Sequence, residues 1–367
     1  MSVIETRLHN SGTDDPVGSA IAAAVAALRS GRMVIIVDAD NPYDDGDLML
    51  SAAYATPERV AFMMRHTSGI LCVPMSAPDL DRLQLPPMVA LNEDPNGAGY
   101  TVSVNARKGI GSGISAADRA RTISILADPS STPSDLNRPG HVFPLRAVEG
   151  GVLRRTGHTE AAVDLARLAG LPPVAVICEV VDDEGAALRG SRLRLFAAEH
   201  RLPIVTMSDL IAYRRSTERL VEFKAASRLP TDHGVFRACG FRSVLDGREH
   251  LALVMGDIAE PGVSPTLVRV HTECLMGNVF GSEGCDCELQ LSYAMKMVAA
   301  EGRGVVLYLR GHADPHGGTD ARDQGVGAQI LADLGVRHMR LLTNHQVNRT
   351  GLGAYGLEVV ETLPLPA

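Results

Sequence analysis

Arg138-Pro-Gly-His141-Val-Phe-Pro-Leu145, then Arg154-Arg155-Thr-Gly-His158-Thr159-Glu160, then Val174-Ala-Val-Ile-Cys178-Glu179: these three runs crowd reactive side chains between ordinary helix and strand signals. The last run is an apolar strand. Between it and His158, Ala162, Val163, Leu165 and Ala166 recur at helical spacing and stop at Gly170, so strand and helix alternate in the α/β manner. Arg155 and the unpaired amides ahead of a helix starting near Thr159 suit a phosphate, because fixed positive charge and free N–H groups converge there. A carboxylate on a buried strand, Glu179, is costly unless it meets a cation, a metal or a proton donor. Either the two histidines are structural and Glu179 pairs with an arginine, or the stretch receives a phosphorylated, metal-bound substrate. The combination favours the second reading.

Toward the N-terminus, Asp15-Pro16 reads as a helix start, with Ile21, Val25 and Leu28 on one face and Gly31 as the stop. Strand Met33 to Val37 follows and runs into Asp38-Ala-Asp40-Asn-Pro42-Tyr43-Asp44-Asp45-Gly46-Asp47, which is either a loop of hard oxygen ligands for a divalent metal or a solvated acidic turn. Helical spacing is read over Leu48 to Tyr54 and Pro57 to Arg65, and a return to strand from His66 to Pro74, where Cys72 reads as a small buried hydrophobe. Tyr100 to Asn105 alternates like a strand. Gly109-Ile-Gly-Ser-Gly113-Ile-Ser115 then leads into a helix Ala116 to Leu126, with Ser115 and Asp118 spaced as a capping box and the loop open to a phosphate.

Toward the C-terminus, helix 192–200, strand 203–206 and helix 208–213 continue the alternation, and the polar run 214–219 marks a change of unit. The second unit is read as opening with strand Val235 to Val244, joined to His250 to Met255 through Asp246-Gly247, a hairpin signal. Strand Thr266 to His271 leads to Cys274, followed by Cys285-Asp-Cys287. Three thiols so spaced can meet one tetrahedral Zn²⁺ and leave its fourth position to water; His271 is the nearby candidate for a fourth ligand. Helix 289–300, strand 305–309, helix 328–334 and strand 339–343 complete the pattern.

With 367 residues the chain exceeds one ordinary core and is expected to form two domains. Its formal charge of −8 argues against nucleic-acid or membrane binding, which would need a basic face. The absence of a membrane-length apolar run or a secretory h-region leads to an expected cytoplasmic location. Six cysteines, three of them between 274 and 287, point to metal rather than to disulfides.

The chain resembles the bifunctional riboflavin-biosynthesis family, in which 3,4-dihydroxy-2-butanone 4-phosphate synthase is fused to GTP cyclohydrolase II. Arg65-His-Thr-Ser-Gly69, Gly113-Ile-Ser-Ala-Ala-Asp-Arg119, Arg138 to Pro144, Gly150-Gly-Val-Leu-Arg-Arg155, Gly157-His-Thr-Glu-Ala161 and Ile177-Cys-Glu179 are similar to the synthase; Arg269-Val-His-Thr-Glu-Cys274, Val279-Phe-Gly-Ser282, Cys285-Asp-Cys287, Glu301-Gly-Arg-Gly304 and Leu341-Leu-Thr-Asn344 are similar to the cyclohydrolase. The resemblance implies an α+β or α/β fold in two domains, synthase-like over 1–219 and cyclohydrolase-like over 220–367. It implies that ribulose 5-phosphate loses C4 as formate at Mg²⁺, with Asp45 and His158 as metal ligands, Asp47, Arg155 and Thr159 on the substrate, and His141 and Glu179 moving protons. For the second half it implies GTP hydrolysis at Zn²⁺ on Cys274, Cys285 and Cys287, with Arg269, Glu273, Gln290 and Thr343 on GTP and Asp320 and Arg322 as catalytic residues. A homodimer is also implied.

This chain departs from the family pattern at defined places. Pro42 stands where the synthase has a substrate-binding arginine, and Tyr43 where it has a Mg²⁺-ligating glutamate that Asp44 or Asp45 would have to replace. After Arg310-Gly-His312 a long segment that contacts GTP is missing, Gly284 replaces an arginine beside the thiols, and Asn348 falls where a phosphate-binding lysine is expected. The cyclohydrolase activity is therefore expected to be weak or lost. Two other outcomes fit the same departures: another phosphoketose as substrate, or a catalytically silent partner that dimerises with an active paralogue.

Overall fold

The computed structural model describes residues 16–38, 45–94, 97–258, 265–310, 321–344 and 352–365, and they fall into two compact units that divide between Arg214 and Arg215. Of the residues singled out above, Asp40 to Asp44, Asp320 and Asn348 lie outside the described residues, as does the side chain of Arg322.

In the first unit, α1 (Pro16–Arg29) leads to β1 (Val34–Val37) and β2 (Gly46–Ser51), then α2 (Pro57–His66), β3 (Cys72–Met75), α3 (Ala77–Arg82), β4 (Val104–Ala106) and α4 (Ala116–Ala127). After these come β5 (Leu136–Arg146), α5 (His158–Leu168), β6 (Ala175–Glu179), α6 (Gly190–His200), β7 (Ile204–Thr206) and α7 (Met207–Thr217). The strands form one mixed sheet in the order β4-β5-β3-β6-β2-β1-β7. Alternate residues of its central strands feed two cores. Ile35, Leu48, Val73 and Val176 face α2, α4 and α6, whereas Val34, Met49, Ala175 and Ile177 face α1, α5 and α7. The sheet is therefore covered on both faces, and its strands read as unbroken apolar runs for that reason.

Residues Leu48 to Ser51, expected to be helical, are strand. They pair with β1 on one side and β6 on the other and are buried throughout, an environment in which a short apolar run carries no period to distinguish it from a buried helix. Asp118 departs from a simple capping box. Its backbone N–H donates to Ser115 Oγ at 3.1 Å, but its carboxylate accepts from Gly111 N–H and Gly113 N–H at 3.0 Å each, tying the glycine-rich loop to α4.

The second unit opens one strand earlier than expected. β8 (Val221–Thr231) pairs with β9 (Gly234–Ser243), which pairs through the Asp246-Gly247 hairpin with β10 (Glu249–Met255). Strand β8 lies at the sheet edge and is exposed over most of its length, so it lacks the alternation that marks a half-buried strand. Then come β11 (Thr266–Thr272), α8 (Leu275–Asn278), α9 (Cys287–Glu301), β12 (Gly304–Leu309), α10 (Ala321–Asp333), β13 (His338–Leu342) and β14 (Glu358–Leu363). The order is β14-β13-β11-β12-β10-β9-β8, parallel from β14 through β12 and antiparallel beyond. Among the described residues, no helix is long and apolar enough to cross a membrane.

Candidate active sites

In the first unit the polar residues gather at one end of β2 and β6. The antiparallel register sets Asp47 directly opposite Glu179, and α5 begins at His158, whose Nδ1 lies 3.1 Å from Asp47 Oδ2. With Nδ1 held by a carboxylate, the other ring nitrogen is aimed elsewhere, and His158 Nε2 is buried without a hydrogen-bond partner. Burial alone would lower the pKa of this imidazole, but the carboxylates of Asp47, Asp45 and Asp38 outweigh it and hold it above its ordinary value. Glu179 is shifted in the direction that suits a proton acceptor near neutral pH: burial and then the charges of Asp45 and Asp47 push its carboxyl up, against a weaker pull from Arg189 and His158.

A buried imidazole with one open nitrogen among carboxylates fits a divalent cation. Among the described residues, however, Asp45, Asp47, His158 and Glu179 do not close into a metal-sized cluster.

Arg155 and Thr159 flank His158 but differ in state. Thr159 is buried on α5, and the Arg155 guanidinium lies 3.5 Å from Glu160 Oε1. Glu160 has no exposed surface; its Oε1 also accepts from the Val148 N–H at 2.8 Å, so it fastens the loop that carries Arg155 to α5. Arg138 is a structural residue, donating to the carbonyls of Leu83, Pro133 and Leu136. Cys72 is in the core, where burial pushes its thiol up to about 12.

The second site is built on a short helix. Cys274 caps α8, Cys287 opens α9 and Cys285 precedes it, and the three sulfurs lie within 4.8 Å of one another. Gly277 makes that convergence possible. A Cβ there would sit 2.5 Å from Cys285 Sγ and 3.3 Å from Cys274 Sγ, so the thiols occupy the space a side chain would take. The backbone N–H of Gly277 donates to Cys274 Sγ and lowers that thiol's pKa, whereas burial and the two neighbouring thiols push Cys287 up to about 12. Three thiols in one cradle cannot ionise together without a cation, and this donor set fits Zn²⁺.

His271 is not a fourth ligand. Its Nε2 lies 3.2 Å from Asn278 Oδ1, its ring stacks on Tyr308, and burial lowers its pKa to about 4. Asn278 Oδ1 also accepts from the Cys274 N–H and from Tyr308 Oη, so it steadies the cradle from behind. Buried Arg269 donates to the Leu342 carbonyl at 3.0 Å and to Gln290 Oε1 at 2.7 Å, and Gln290 donates in turn to Asp286 between the thiols. Glu273 faces Arg310 at 3.5 Å, and Thr343 continues from β13, its N–H donating to Leu363. Sequence reasoning passed over Asn105, Glu160, Gly277 and Asn278 as functional residues. Residue type alone does not say what these side chains touch, and only the fold shows it.

Comparison with known proteins agrees with this two-site layout. The family model of 3,4-dihydroxy-2-butanone 4-phosphate synthase matches residues 22–213, and that of GTP cyclohydrolase II matches 222–318 and 312–364. The riboflavin biosynthesis protein RibBA of Salinispora tropica is 54% identical over 373 residues, covering 94% of this chain and 93% of that protein. RibBA of Mycobacterium tuberculosis is 53% identical over 374 residues, covering 94% and 88%. Among solved structures, RibBX of A. baumannii, described as a two domain 3,4-dihydroxy-2-butanone 4-phosphate synthase, superposes with a TM-score of 0.76 at 35% identity over 95% of this chain and 99% of that one. A 3,4-dihydroxy-2-butanone 4-phosphate synthase in complex with two magnesium ions covers 54% of this chain and 97% of its own, with a TM-score of 0.52 and 45% identity. By both its units and its overall length, the chain belongs to the riboflavin-biosynthesis family that joins a 3,4-dihydroxy-2-butanone 4-phosphate synthase domain to a GTP cyclohydrolase II domain.

Proposed function

We propose that the first unit converts ribulose 5-phosphate to 3,4-dihydroxy-2-butanone 4-phosphate and formate, and that the second keeps its zinc cradle but hydrolyses GTP weakly or not at all. The observation that carries the first half is His158, held at Nδ1 by Asp47 and open at a buried Nε2, with Glu179 opposite Asp47 and its carboxyl pKa raised by burial and by the charges of Asp45 and Asp47. His158 and Asp45 would hold Mg²⁺, which when bound would polarise oxygens of the substrate. Asp47 orients the His158 ring and faces the substrate, Arg155 and Thr159 hold it, Glu179 takes the carbon-bound proton, and His141 works on the oxygen side. This would be the Mg²⁺ chemistry of a neighbour whose structure contains two magnesium ions.

Two features support the loss of GTP hydrolysis. The cyclohydrolase match comes in two segments that overlap over 312–318, where the sequence departs from the family pattern after Arg310-Gly-His312, and the structural neighbour of nearly equal extent is described as a two domain synthase. Gly284, exposed beside the thiols, brings no cation to a triphosphate. Incubating the purified protein with ribulose 5-phosphate and Mg²⁺ while monitoring formate tests the first half, and no formate at high enzyme concentration sinks it. GTP and Zn²⁺ in a parallel assay test the second: turnover at a rate typical of enzymes, ~1–10³ per second, would refute it.

A further inference from the structure

His141 owes its orientation to a side chain outside the quoted motifs. Along β4 and β5 the register jumps: Val104 pairs with Val142, but the next residue, Asn105, pairs with Asn137, so Arg138 to His141 stand out as a bulge beside Asn105. The Asn105 side chain reaches into it. Its Oδ1 accepts from the backbone N–H of His141 at 2.9 Å, and its Nδ2 lies 3.1 Å from His141 Nδ1.

These two contacts settle which way the amide faces. A backbone N–H can only donate, so the atom opposite it is the oxygen, and the amide nitrogen is left facing the ring. That nitrogen is also only a donor. Nδ1 also lies 3.3 Å from Asn105 Oδ1, but that oxygen already accepts from the His141 N–H, and a proton on Nδ1 would face the nearer Nδ2–H; the contacts therefore favour an accepting Nδ1 with the ring proton on Nε2. The amide cannot swing away, because the glycine-rich loop backs it. A Cβ on Gly113 would sit 2.1 Å from Asn105 Nδ2, and Gly113, at φ +89°, is held in place by Asp118. At Gly113 the glycine-rich loop clamps an asparagine.

We propose that Asn105 is a positioning residue that holds His141 as the Nε2-protonated tautomer, so that this imidazole presents a fixed N–H donor to the substrate oxygen. The inference rests on the reading that the first unit enolises a phosphoketose. As Glu179 removes the carbon-bound proton, its electron pair moves into the forming C=C bond and the carbonyl π pair moves onto oxygen. The His141 Nε2–H then meets that developing negative charge without giving up its proton, and no proton changes hands at His141.

The test is the tautomer itself, read by long-range proton–nitrogen correlation on the full-length chain labelled with ¹⁵N-histidine, the signal being identified by its loss in His141→Gln. The unaltered protein is expected to show Nε2–H. Asn105→Asp keeps the planar shape and the acceptor for the His141 amide but offers the ring an acceptor, so the proton should appear on Nδ1. Formate release should then fall about 10²-fold in kcat with KM for ribulose 5-phosphate unchanged. Gly113→Ala, which displaces the amide, should also disturb the His141 signal. An Nδ1–H tautomer in the unaltered protein overturns the proposal, as does a folded Asn105→Asp whose tautomer and kcat do not change. If Asn105→Asp fails to fold, the unaltered protein's tautomer decides alone. The Nε2–H signal in a protein that releases no formate would sink the proposed reaction and leave this assignment standing.

Discussion

Replacing Gly277 with alanine should weaken zinc binding by the second unit without unfolding it. The added methyl would lie 2.5 Å from Cys285 Sγ and 3.0 Å from Cys287 Cβ, against the roughly 3.5–4.0 Å of ordinary heavy-atom contact, so a sulfur must move by about 1 Å. In the metal-free protein the thiols can spread to make room. In the zinc form they cannot, because zinc–sulfur distances tolerate only about 0.2 Å, and the strain therefore falls on the bound state. Overpacking of this kind costs about 1–3 kcal/mol, which at about 1.4 kcal/mol per decade is roughly a 5- to 150-fold loss of affinity. Competition of purified protein against a chromogenic chelator reads that ratio, and circular dichroism checks the fold. Gly277 lies in helical α8 and has no left-handed backbone angle, so alanine brings no conformational penalty of its own. Gly302→Ala is the control: its φ of +72° strains the end of α9, yet no atom lies within 4 Å of the new methyl and zinc affinity should be unchanged. A Gly277→Ala protein that is folded and binds zinc as tightly as the unaltered chain would refute the steric reasoning.

Three further outcomes are expected. Asp47 raises the pKa of His158, so the pair stabilises the fold fully below the ordinary histidine pKa and the contribution is lost as pH rises through the higher folded-state value; Asp47→Asn should flatten Tm against pH in that window in the presence of a chelator, and an unchanged slope would count against the contact. Glu179→Gln should lower formate release by at least about 10²-fold with the fold intact, whereas retention of full rate would remove it from the proton path. Asp164, buried on α5, accepts from Arg214 at 2.5 Å and from the Val152 N–H at 2.8 Å, so Asp164→Ala removes the carboxylate that balances a buried guanidinium, whose bond to the Gly150 carbonyl remains, and should cost about 3–5 kcal/mol in chemical denaturation; a loss below about 1 kcal/mol would show that water replaces the carboxylate.

Much of the architecture was legible from local pattern. The α5 face, the Asp246-Gly247 hairpin and the cysteine triad were readable because each is written in residues adjacent in the chain or spaced by one helical period. Leu48 to Ser51 was misread and β8 was missed for opposite reasons: one is buried on both faces and the other exposed on both, and neither produces the alternation that identifies a strand. What Gly113 makes room for was not legible either, since that glycine looks the same in sequence whether it admits a phosphate or an amide.

The sequence by itself determined which chemistries are present: carboxylates after the first strand, an imidazole at a helix start, three thiols in one short run, and motifs that assign the chain to its family. Only the tertiary structure decided which of these groups meet. Asp47 reaches His158 through a strand register, Asn105 reaches His141 through a bulge, and His271 turns to Asn278 rather than to the thiols. The physical reason is that hydrogen bonds and metal ligation act over about 3 Å, a distance set by sheet pairing and packing between segments far apart in the chain, whereas residue type and spacing constrain only near neighbours.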